Sequence, residues 1–149
     1  MSATQPDPFA AAAIGEASRG FDEGGLPIGS VLVVDGEIVG RGHNRRVQYN
    51  SAILHAEMDC LERAGRLPKD VYRRATLYTT LAPCHMCAGA VLRCEIPRVV
   101  VGDIITARGA QDHLIAMGVD VEFQQWDECI ELMARFIAAK PDVWAEDRQ

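Results

Sequence analysis

The chain has no long hydrophobic run and carries fewer basic than acidic side chains. No apolar stretch approaches the ~20 residues of a bilayer-spanning helix, so a membrane protein is not expected. The short apolar segment 10–14 follows Asp7 instead of a basic region, which is not typical of a signal peptide and favours the cytoplasm. Lys and Arg number 15 against 21 Asp and Glu, and the resulting net charge of −6 disfavours binding to nucleic-acid phosphates. Arg41, Arg45 and Arg46 cluster in the sequence, as do Arg73 and Arg74, but two solvated loops are a better interpretation than a local basic patch.

The sequence also lacks internal repeats, low-complexity tracts and linker-like segments. Its 149 residues suit one domain, which we expect to span residues 1–149. There are five cysteines, and an odd number without an export signal does not predict a disulfide framework. Metal binding or buried free thiols are the better interpretations.

Hydrophobic periodicity and turn signals predict five helices and five strands. The helices are expected at residues 8–21, 54–64, 84–94, 110–117 and 128–139, and the strands at 28–34, 37–41, 75–81, 98–102 and 119–123. Residues 42–53 are predicted to form a loop. The order α-β-β-α-β-α-β-α-β-α favours a three-layer α/β/α sandwich with a central five-stranded mixed sheet. Its opening hairpin would be antiparallel and its later strands parallel.

Two short motifs carry metal chemistry. His55-Ala56-Glu57 and Pro83-Cys84-His85-Met86-Cys87 each open a predicted helix. Cysteines three residues apart in a first helical turn lie on one side, and the positive helix N-terminus favours the thiolates that zinc binds. His55, Cys84 and Cys87 supply three ligands, which leaves a fourth position for water, as in catalytic zinc sites.

Glu57 lies two residues from a predicted ligand and is expected to carry the proton of an activated water. The pattern H-x-E followed by P-C-x-x-C is the signature of zinc deaminases. A redox pair or half of a zinc ribbon would also contain C-x-x-C, but the sequence has no second pair. Cys60 or Cys94 as a fourth ligand is the remaining structural alternative, although buried free thiols are more usual in such apolar surroundings.

Beyond these motifs, the chain resembles the fungal-type cytosine deaminase family of the cytidine deaminase-like superfamily. The resemblance runs almost end to end, through EGGLPIG (23–29), GRGHN (40–44), SAILHAE (51–57), AGRL (64–67), TLYTTLAPCHMC (76–87) and PDVWAED (141–147). It implies one catalytic Zn²⁺ per chain, hydrolysis of cytosine to uracil and ammonia, and a homodimer packed through helices near the active site.

The resemblance also implies a set of substrate contacts. Asn44 and the backbone N–H of Ala56 would bind the carbonyl oxygen of the base, and the carbonyl of Ala82 would receive the departing amine. Asp147 would accept the ring N1–H, which a nucleoside lacks, so that a free base is favoured. Two further residues, Trp144 in a C-terminal lid and Ile28 in the wall, would enclose the base.

One position departs from the family. A phenylalanine that forms a pocket wall in the family is replaced by Ala107, which predicts a wider pocket or closure by Met117 or Trp126. Isocytosine, a 5-substituted cytosine, guanine and creatinine therefore stand as alternative substrates. A tRNA adenosine deaminase is a further alternative, opposed by the acidic C-terminal tail. From another class, a zinc-stabilised binding module would have no need of Glu57.

Overall fold

A five-stranded mixed sheet forms the centre of the fold, which a computed structural model describes for residues 7–148. Its strands are β1 (Gly29–Val34), β2 (Glu37–His43), β3 (Ala75–Thr79), β4 (Arg98–Val101) and β5 (Asp120–Phe123). They are ordered β2-β1-β3-β4-β5. Strand β1 is antiparallel to β2 and β3, whereas β3, β4 and β5 are parallel. The predicted mixed sheet is confirmed, including its antiparallel opening hairpin and parallel later strands.

Eight helices occur between residues 7 and 148. They are α1 (Pro8–Asp22), α2 (Arg46–Tyr49), α3 (Ala56–Ala64), α4 (Lys69–Tyr72), α5 (His85–Cys94), α6 (Gln111–Ala116), α7 (Asp127–Ala139) and α8 (Pro141–Asp147). The five predicted helices are present with bounds shifted by at most two residues.

The expectations of only five helices and of a loop over residues 42–53 were wrong. Strand β2 continues to His43, and α2 lies within the supposed loop. Helices α2 and α4 have four residues each and no side-chain cap, so neither periodicity nor capping marks them in the sequence. Pro141 follows the end of α7 but also occupies the first turn of α8, where a missing N–H costs nothing.

Helices cover both faces of the sheet, which confirms the three-layer arrangement. On one face Val31 and Val33 pack with Ile14 of α1 and Cys129 of α7. On the other face a larger cluster joins strand residues to helices α3, α5 and α6, through Leu32, Leu77, Val99, Cys60, Val91 and Leu114. Every residue of β1 is buried, as expected for a strand covered on both faces.

Close packing of α1 on β1 depends on a residue without a side chain. A Cβ at Gly29 would collide with the backbone carbonyl of Ala13 and the backbone nitrogen of Ala17. A third apolar cluster lies beyond the N-terminal end of β1 and joins α8 to α3 and α7, through Leu26, Ile28, Ala56, Leu81, Met133, Phe136 and Trp144. Within residues 7–148, no helix combines the length and the hydropathy of a membrane span.

Candidate active site

The turn before α3 presents the imidazole of His55. The Ser51 hydroxyl accepts hydrogen bonds from the backbone N–H groups of Ile53 and Leu54 at 3.2 and 3.1 Å. The Leu54 carbonyl accepts a bond from the backbone N–H of Arg45 at 3.0 Å. These bonds hold the turn so that His55 becomes the N-cap residue of α3, where its side chain makes no capping hydrogen bond.

The two cysteines meet His55 at the start of α5. Cys84 is the N-cap residue of that helix, and its Sγ accepts a hydrogen bond from the backbone N–H of Cys87 at 3.5 Å. His55 Nδ1 lies 3.4 Å from Cys84 Sγ and 3.6 Å from Cys87 Sγ. Tetrahedral zinc with ordinary bond lengths separates a sulfur and a nitrogen ligand by about 3.6 Å. The three side chains therefore fit a zinc ion, and their ligand atoms all lie within 4.8 Å of one another.

The two thiols are electrostatically coupled. A hydrogen bond from the Cys87 thiol holds the pKa of Cys84 far below its usual range, against the effect of burial and with help from His55. Because Cys87 donates that bond and is buried, its own pKa is raised. This coupling favours the thiolate at Cys84, and a bound dication favours the loss of the second proton as well.

The other cysteines do not join this group. Cys60 is fully buried in the core between β1 and α3, and Cys94 is the last residue of α5, three turns from Cys84. His55, Cys84 and Cys87 form the only such group found among residues 7–148. The alternative in which Cys60 or Cys94 closes the site as a fourth ligand is therefore not supported.

Glu57 lies in the first turn of α3, beside the three predicted ligands, and is 3% exposed. Burial raises the pKa of Glu57 to about 7, although the nearby His55 acts in the opposite direction. A carboxyl group with a pKa near neutrality can both take up and release a proton at that pH. The site thus pairs a metal-binding group with an internal proton carrier.

These residues face one pocket. It is lined by Ile28, Asn44, His55, Ala56, Glu57, Leu81, Ala82, Cys84, Ala107, Arg108, Trp144, Asp147 and Arg148. Of the ten residues predicted as metal ligands, catalytic group or substrate contacts, all but Cys87 belong to this lining, and Cys87 is fully buried beside Cys84. Sequence reasoning missed Leu81, Arg108 and Arg148, none of which belongs to a spacing pattern.

Asn44 offers the pocket an unpaired hydrogen-bond donor. Its Oδ1 accepts the backbone N–H of Arg46 at 3.0 Å, and this bond sets the orientation of the amide. Its Nδ2 is buried and has no hydrogen-bond partner among residues 7–148. A buried donor without a partner costs about 1–3 kcal/mol, so this nitrogen is suited to a ligand oxygen.

Asp147 brings an acceptor to the same pocket from α8. Its side chain is 6% exposed, forms an ion pair with Arg46, and has its Oδ1 3.9 Å from His55 Nε2. A carboxylate has about four lone-pair sites, so the bond to Arg46 leaves capacity for a further N–H donor. Arg46 was not predicted as a site residue, although it lies only two positions from Asn44.

The pocket is closed by apolar residues and by the loop after β4. Trp144 is 8% exposed and packs with Met133 and Phe136 of α7. The carboxylate of Asp103 accepts the backbone N–H groups of Ile105 and Thr106 at 2.8 and 2.9 Å, which shapes the loop that carries residues 107 and 108.

The sequence predicts either a pocket widened at Ala107 or one closed by Met117 or Trp126. Ala107 does line the pocket. Neither Met117 nor Trp126 does: the Met117 side chain is 60% exposed, and the indole of Trp126 packs against Gly102. The suggestion that one of those two residues closes the pocket was therefore wrong, because the ends of α6 and β5 lie away from the ligand group.

The fold and the site together define a class of protein. It is an α/β/α domain in which a His, Cys and Cys group at two helix N-termini faces a pocket containing a buried glutamate. The chain belongs to the family described as the cytidine and deoxycytidylate deaminase zinc-binding region, whose model matches residues 3–103. The sequence-based assignment to the zinc deaminase superfamily is confirmed.

Known proteins resemble the chain over most of its length. It is 48% identical over 136 residues to a protein of Candida albicans named cytosine deaminase, and the match covers 91% of each chain. It is 38% identical to the tRNA-specific adenosine deaminase of Bacillus subtilis, over 85% of this chain and 80% of the relative. The structure of guanine deaminase from Nitrosomonas europaea shares the fold with a TM-score of 0.73 at 20% identity, covering 93% of this chain and 87% of that one.

Proposed function

We propose that the chain is a zinc-dependent hydrolase that deaminates a free nucleobase, converting cytosine and water to uracil and ammonia. The observation that carries the proposal is the pairing of donor and acceptor in one pocket. Asn44 Nδ2 and the Asp147 carboxylate both face the pocket that contains the His55 group. The 48% identity to a relative named cytosine deaminase supports the choice of base.

His55, Cys84 and Cys87 would hold the zinc ion, since their separations suit a tetrahedral site. When bound, zinc supplies a Lewis acid that lowers the pKa of water in its open position toward 7. The Glu57 carboxylate would take one proton from the water that attacks C4 and deliver it to N3 of the ring. It would then take the remaining proton of that oxygen and pass it to the amine, which leaves as ammonia when its bond to C4 breaks. The buried carboxyl suits this task because its pKa of about 7 permits transfer in both directions.

Recognition of the base would use the two polar groups at the pocket edge. Asn44 Nδ2 and the Ala56 N–H would donate to the O2 carbonyl of cytosine, while Asp147 would accept from N1–H. The Ala82 carbonyl would receive the leaving amine, and Trp144 and Ile28 would cover the ring. A nucleoside carries ribose on N1, so it would leave the Asp147 carboxylate without that donor, a mismatch that typically costs orders of magnitude in rate.

We further propose that the chain forms one deaminase domain and functions as a homodimer. We also propose that it is located in the cytoplasm. Both cysteine ligands must stay reduced to bind zinc, which suits the reducing cytoplasm. Sedimentation at micromolar concentration tests the dimer, and a single species at the mass of one chain would contradict it.

The substrate assignment is tested with the purified zinc-loaded protein by ammonia release from cytosine and cytidine at equal concentration. We expect cytosine to react at least about 100-fold faster, as is usual when a polar site loses its partner. Equal or faster reaction of cytidine would exclude the free-base assignment.

The role of Glu57 is tested by Glu57→Gln, which keeps size and hydrogen bonding but removes the proton-carrying carboxyl. We expect zinc content to be retained and kcat to fall by about 10²–10⁴-fold, the usual contribution of a positioned acid–base group. Zinc content is measured by metal analysis on the same samples. Full activity of the variant would refute the role.

A larger or substituted base is a second candidate substrate, favoured by one observation. The position at which Ala107 lines the pocket carries only a methyl group, and the neighbouring Arg108 in the same lining is exposed. A panel of cytosine, 5-methylcytosine, isocytosine, guanine and creatinine separates the candidates by their kcat/KM values.

A further inference from the structure

His43 is the last residue of β2, and its ring packs against α1 near Gly20. Each of its ring nitrogens meets a carboxylate. Nδ1 lies 2.9 Å from Glu16 Oε1, and Nε2 lies 2.9 Å from Glu23 Oε1. The His43 side chain is fully buried and that of Glu16 is 3% exposed. An ionised carboxylate only accepts hydrogen bonds, and a neutral imidazole has one N–H. Two such bonds therefore call for an imidazolium, which carries an N–H on both nitrogens.

The alternation of side chains along β2 places His43 and its pocket-lining neighbour Asn44 on opposite sides of the strand. A Cβ at Gly42 would meet the Cys60 backbone, so position 42 faces α3. Side chains alternate along a strand, and His43 accordingly faces α1 on the opposite side. Asn44 returns to the α3 side, where it lines the pocket. The side chain that anchors the end of β2 is thus adjacent in sequence to the amide that faces the base.

Hydrogen bonds on the backbone complete the connection. The His43 N–H donates to Asp59 Oδ2 at 3.0 Å, and the Asn44 N–H donates to the Ile28 carbonyl at 2.9 Å. Gln48 Nε2 donates to Glu23 Oε1 at 3.1 Å and to the Asn44 carbonyl at 3.2 Å. Glu23 is therefore connected to the backbone of Asn44 in two ways. It bonds the ring of His43, which precedes Asn44, and it bonds Gln48, which donates to the Asn44 carbonyl.

We infer that His43, held as an imidazolium between Glu16 and Glu23, is a positioning residue that fixes the Asn44 amide for base binding. The inference rests on the proposed function for the role of Asn44, but its charge state is independent of any reaction. His43 itself does not line the pocket, so it acts through the backbone of its neighbour.

The surrounding charges agree with this state. His43, Glu16 and Glu23 form a triad of hydrogen-bonded charges. The other charged groups around this triad come from α1, β2, α3 and the segment between β2 and α3, and they are Arg19, Arg41, Arg45 and Asp59. Burial by itself lowers the pKa of His43, but the hydrogen bonds to Glu16 and Glu23 outweigh it and raise the pKa. The hydrogen bond to His43 in turn lowers the pKa of each glutamate, which opposes placing the proton on a carboxyl group.

The charge state is tested by ¹⁵N NMR of the histidine rings in the zinc-loaded protein between pH 5.5 and 9. His43→Gln assigns the signals of His43, and His113→Gln, at an exposed position of α6, serves as the matched control. We expect both ring nitrogens of His43 to carry hydrogen at pH 7. A neutral ring with one unprotonated nitrogen at pH 7 would overturn the inference, whatever reaction the protein catalyses.

The positioning role is tested by the kinetics of His43→Gln with the best base of the panel. We expect KM to rise about tenfold with kcat changed less than about threefold, because a binding contact is displaced while the metal group and Glu57 are intact. Zinc content should match the wild type, and His113→Gln should leave both constants unchanged. An unchanged KM in zinc-loaded, folded His43→Gln would overturn the inference.

Glu23→Gln provides a second variant should His43→Gln fail to fold, since the Glu23 side chain is 37% exposed. A glutamine carbonyl can still accept the Nε2–H bond, but the negative charge is gone. We expect His43 to lose its proton at a lower pH than in the wild type, with KM rising over the same interval. A KM that does not follow the His43 titration would count against the role. If the wild type deaminates no base of the panel, the proposed function fails, and the ring-nitrogen measurement alone decides the inference.

Discussion

At the residue scale, the candidate site combines closely spaced groups on α3 and α5 with an ion pair whose members lie far apart along the chain. His55, Cys84, Cys87 and Glu57 stand in short local spacings that chemistry explains, so they could be predicted without a structure. The ion pair of Arg46 with Asp147 joins residues 101 positions apart, and no local pattern predicts such a contact. The unpaired state of Asn44 Nδ2 likewise depends on which groups surround it in three dimensions.

Ala107 is the residue at which substrate range can be altered. Ala107→Phe places an aromatic ring on the pocket wall, so bulkier bases should lose more kcat/KM than cytosine does, by about 10–100-fold in the ratio. The ratio of kcat/KM for 5-methylcytosine and cytosine checks this expectation. Ala11→Phe, at an exposed position of α1, is the control. Equal losses for both bases would show that residue 107 does not select the substrate.

At the scale of elements, the long helices and the strands followed from periodicity, whereas α8 did not. Its first residue is Pro141, and a proline just after a helical pattern usually marks the end of a helix instead of the start of another. Tertiary contacts stabilise it instead: Trp144 packs in the cluster beyond β1, and Asp147 pairs with Arg46 of α2. Lys140 Nζ, just before α8, also donates to the Gly24 carbonyl at 2.7 Å.

Arg46→Gln is expected to loosen α8 over the pocket. It leaves the buried Asp147 carboxylate without its cation, which costs about 1–3 kcal/mol for a partly exposed pair. We expect kcat/KM to fall about tenfold or more, and faster hydrogen exchange at the amides of Trp144 and Arg148. Arg74→Gln removes a surface ion pair with Asp35 and is the matched control. Wild-type exchange rates in α8 of Arg46→Gln would contradict this account.

At the scale of the whole molecule, the order of elements was enough to predict three layers and a mixed sheet. The pattern of apolar residues indicates which faces of the sheet are covered by helices, and short connections limit the possible topologies. The sequence did not predict the pairing of buried Glu16 and His43 with the partly exposed Glu23, because an isolated histidine, a glutamate on α1 and another just after α1 carry no spacing signal. Their stability depends on mutual pairing in the folded state.

This triad makes stability depend on pH with a definite sign. The pKa of His43 is raised above 6.5, so its contribution is complete below about pH 6.5 and is lost as the pH rises through the higher folded-state value. The pKa values of Glu16 and Glu23 are lowered below 4.5, so their contributions are complete above that pH and are lost on acidification.

The free energy of unfolding of the wild type minus that of His43→Gln should therefore be largest between about pH 4.5 and 6.5 and should shrink toward pH 9. Urea denaturation of the zinc-loaded proteins at pH 5.5, 7 and 9 measures the difference. His113→Gln controls for the general loss of a histidine. A difference that grows between pH 7 and 9 would be inconsistent with a charged His43.

The separate positions of the two tryptophans give the molecule an internal optical reporter. Trp144 lies over the pocket, whereas Trp126 packs against Gly102 and donates its indole N–H to Gln124 at 2.8 Å. In a Trp126→Phe background, tryptophan fluorescence arises from Trp144 alone. Stopped-flow emission would then time the arrival of the base and the departure of the product without any attached dye.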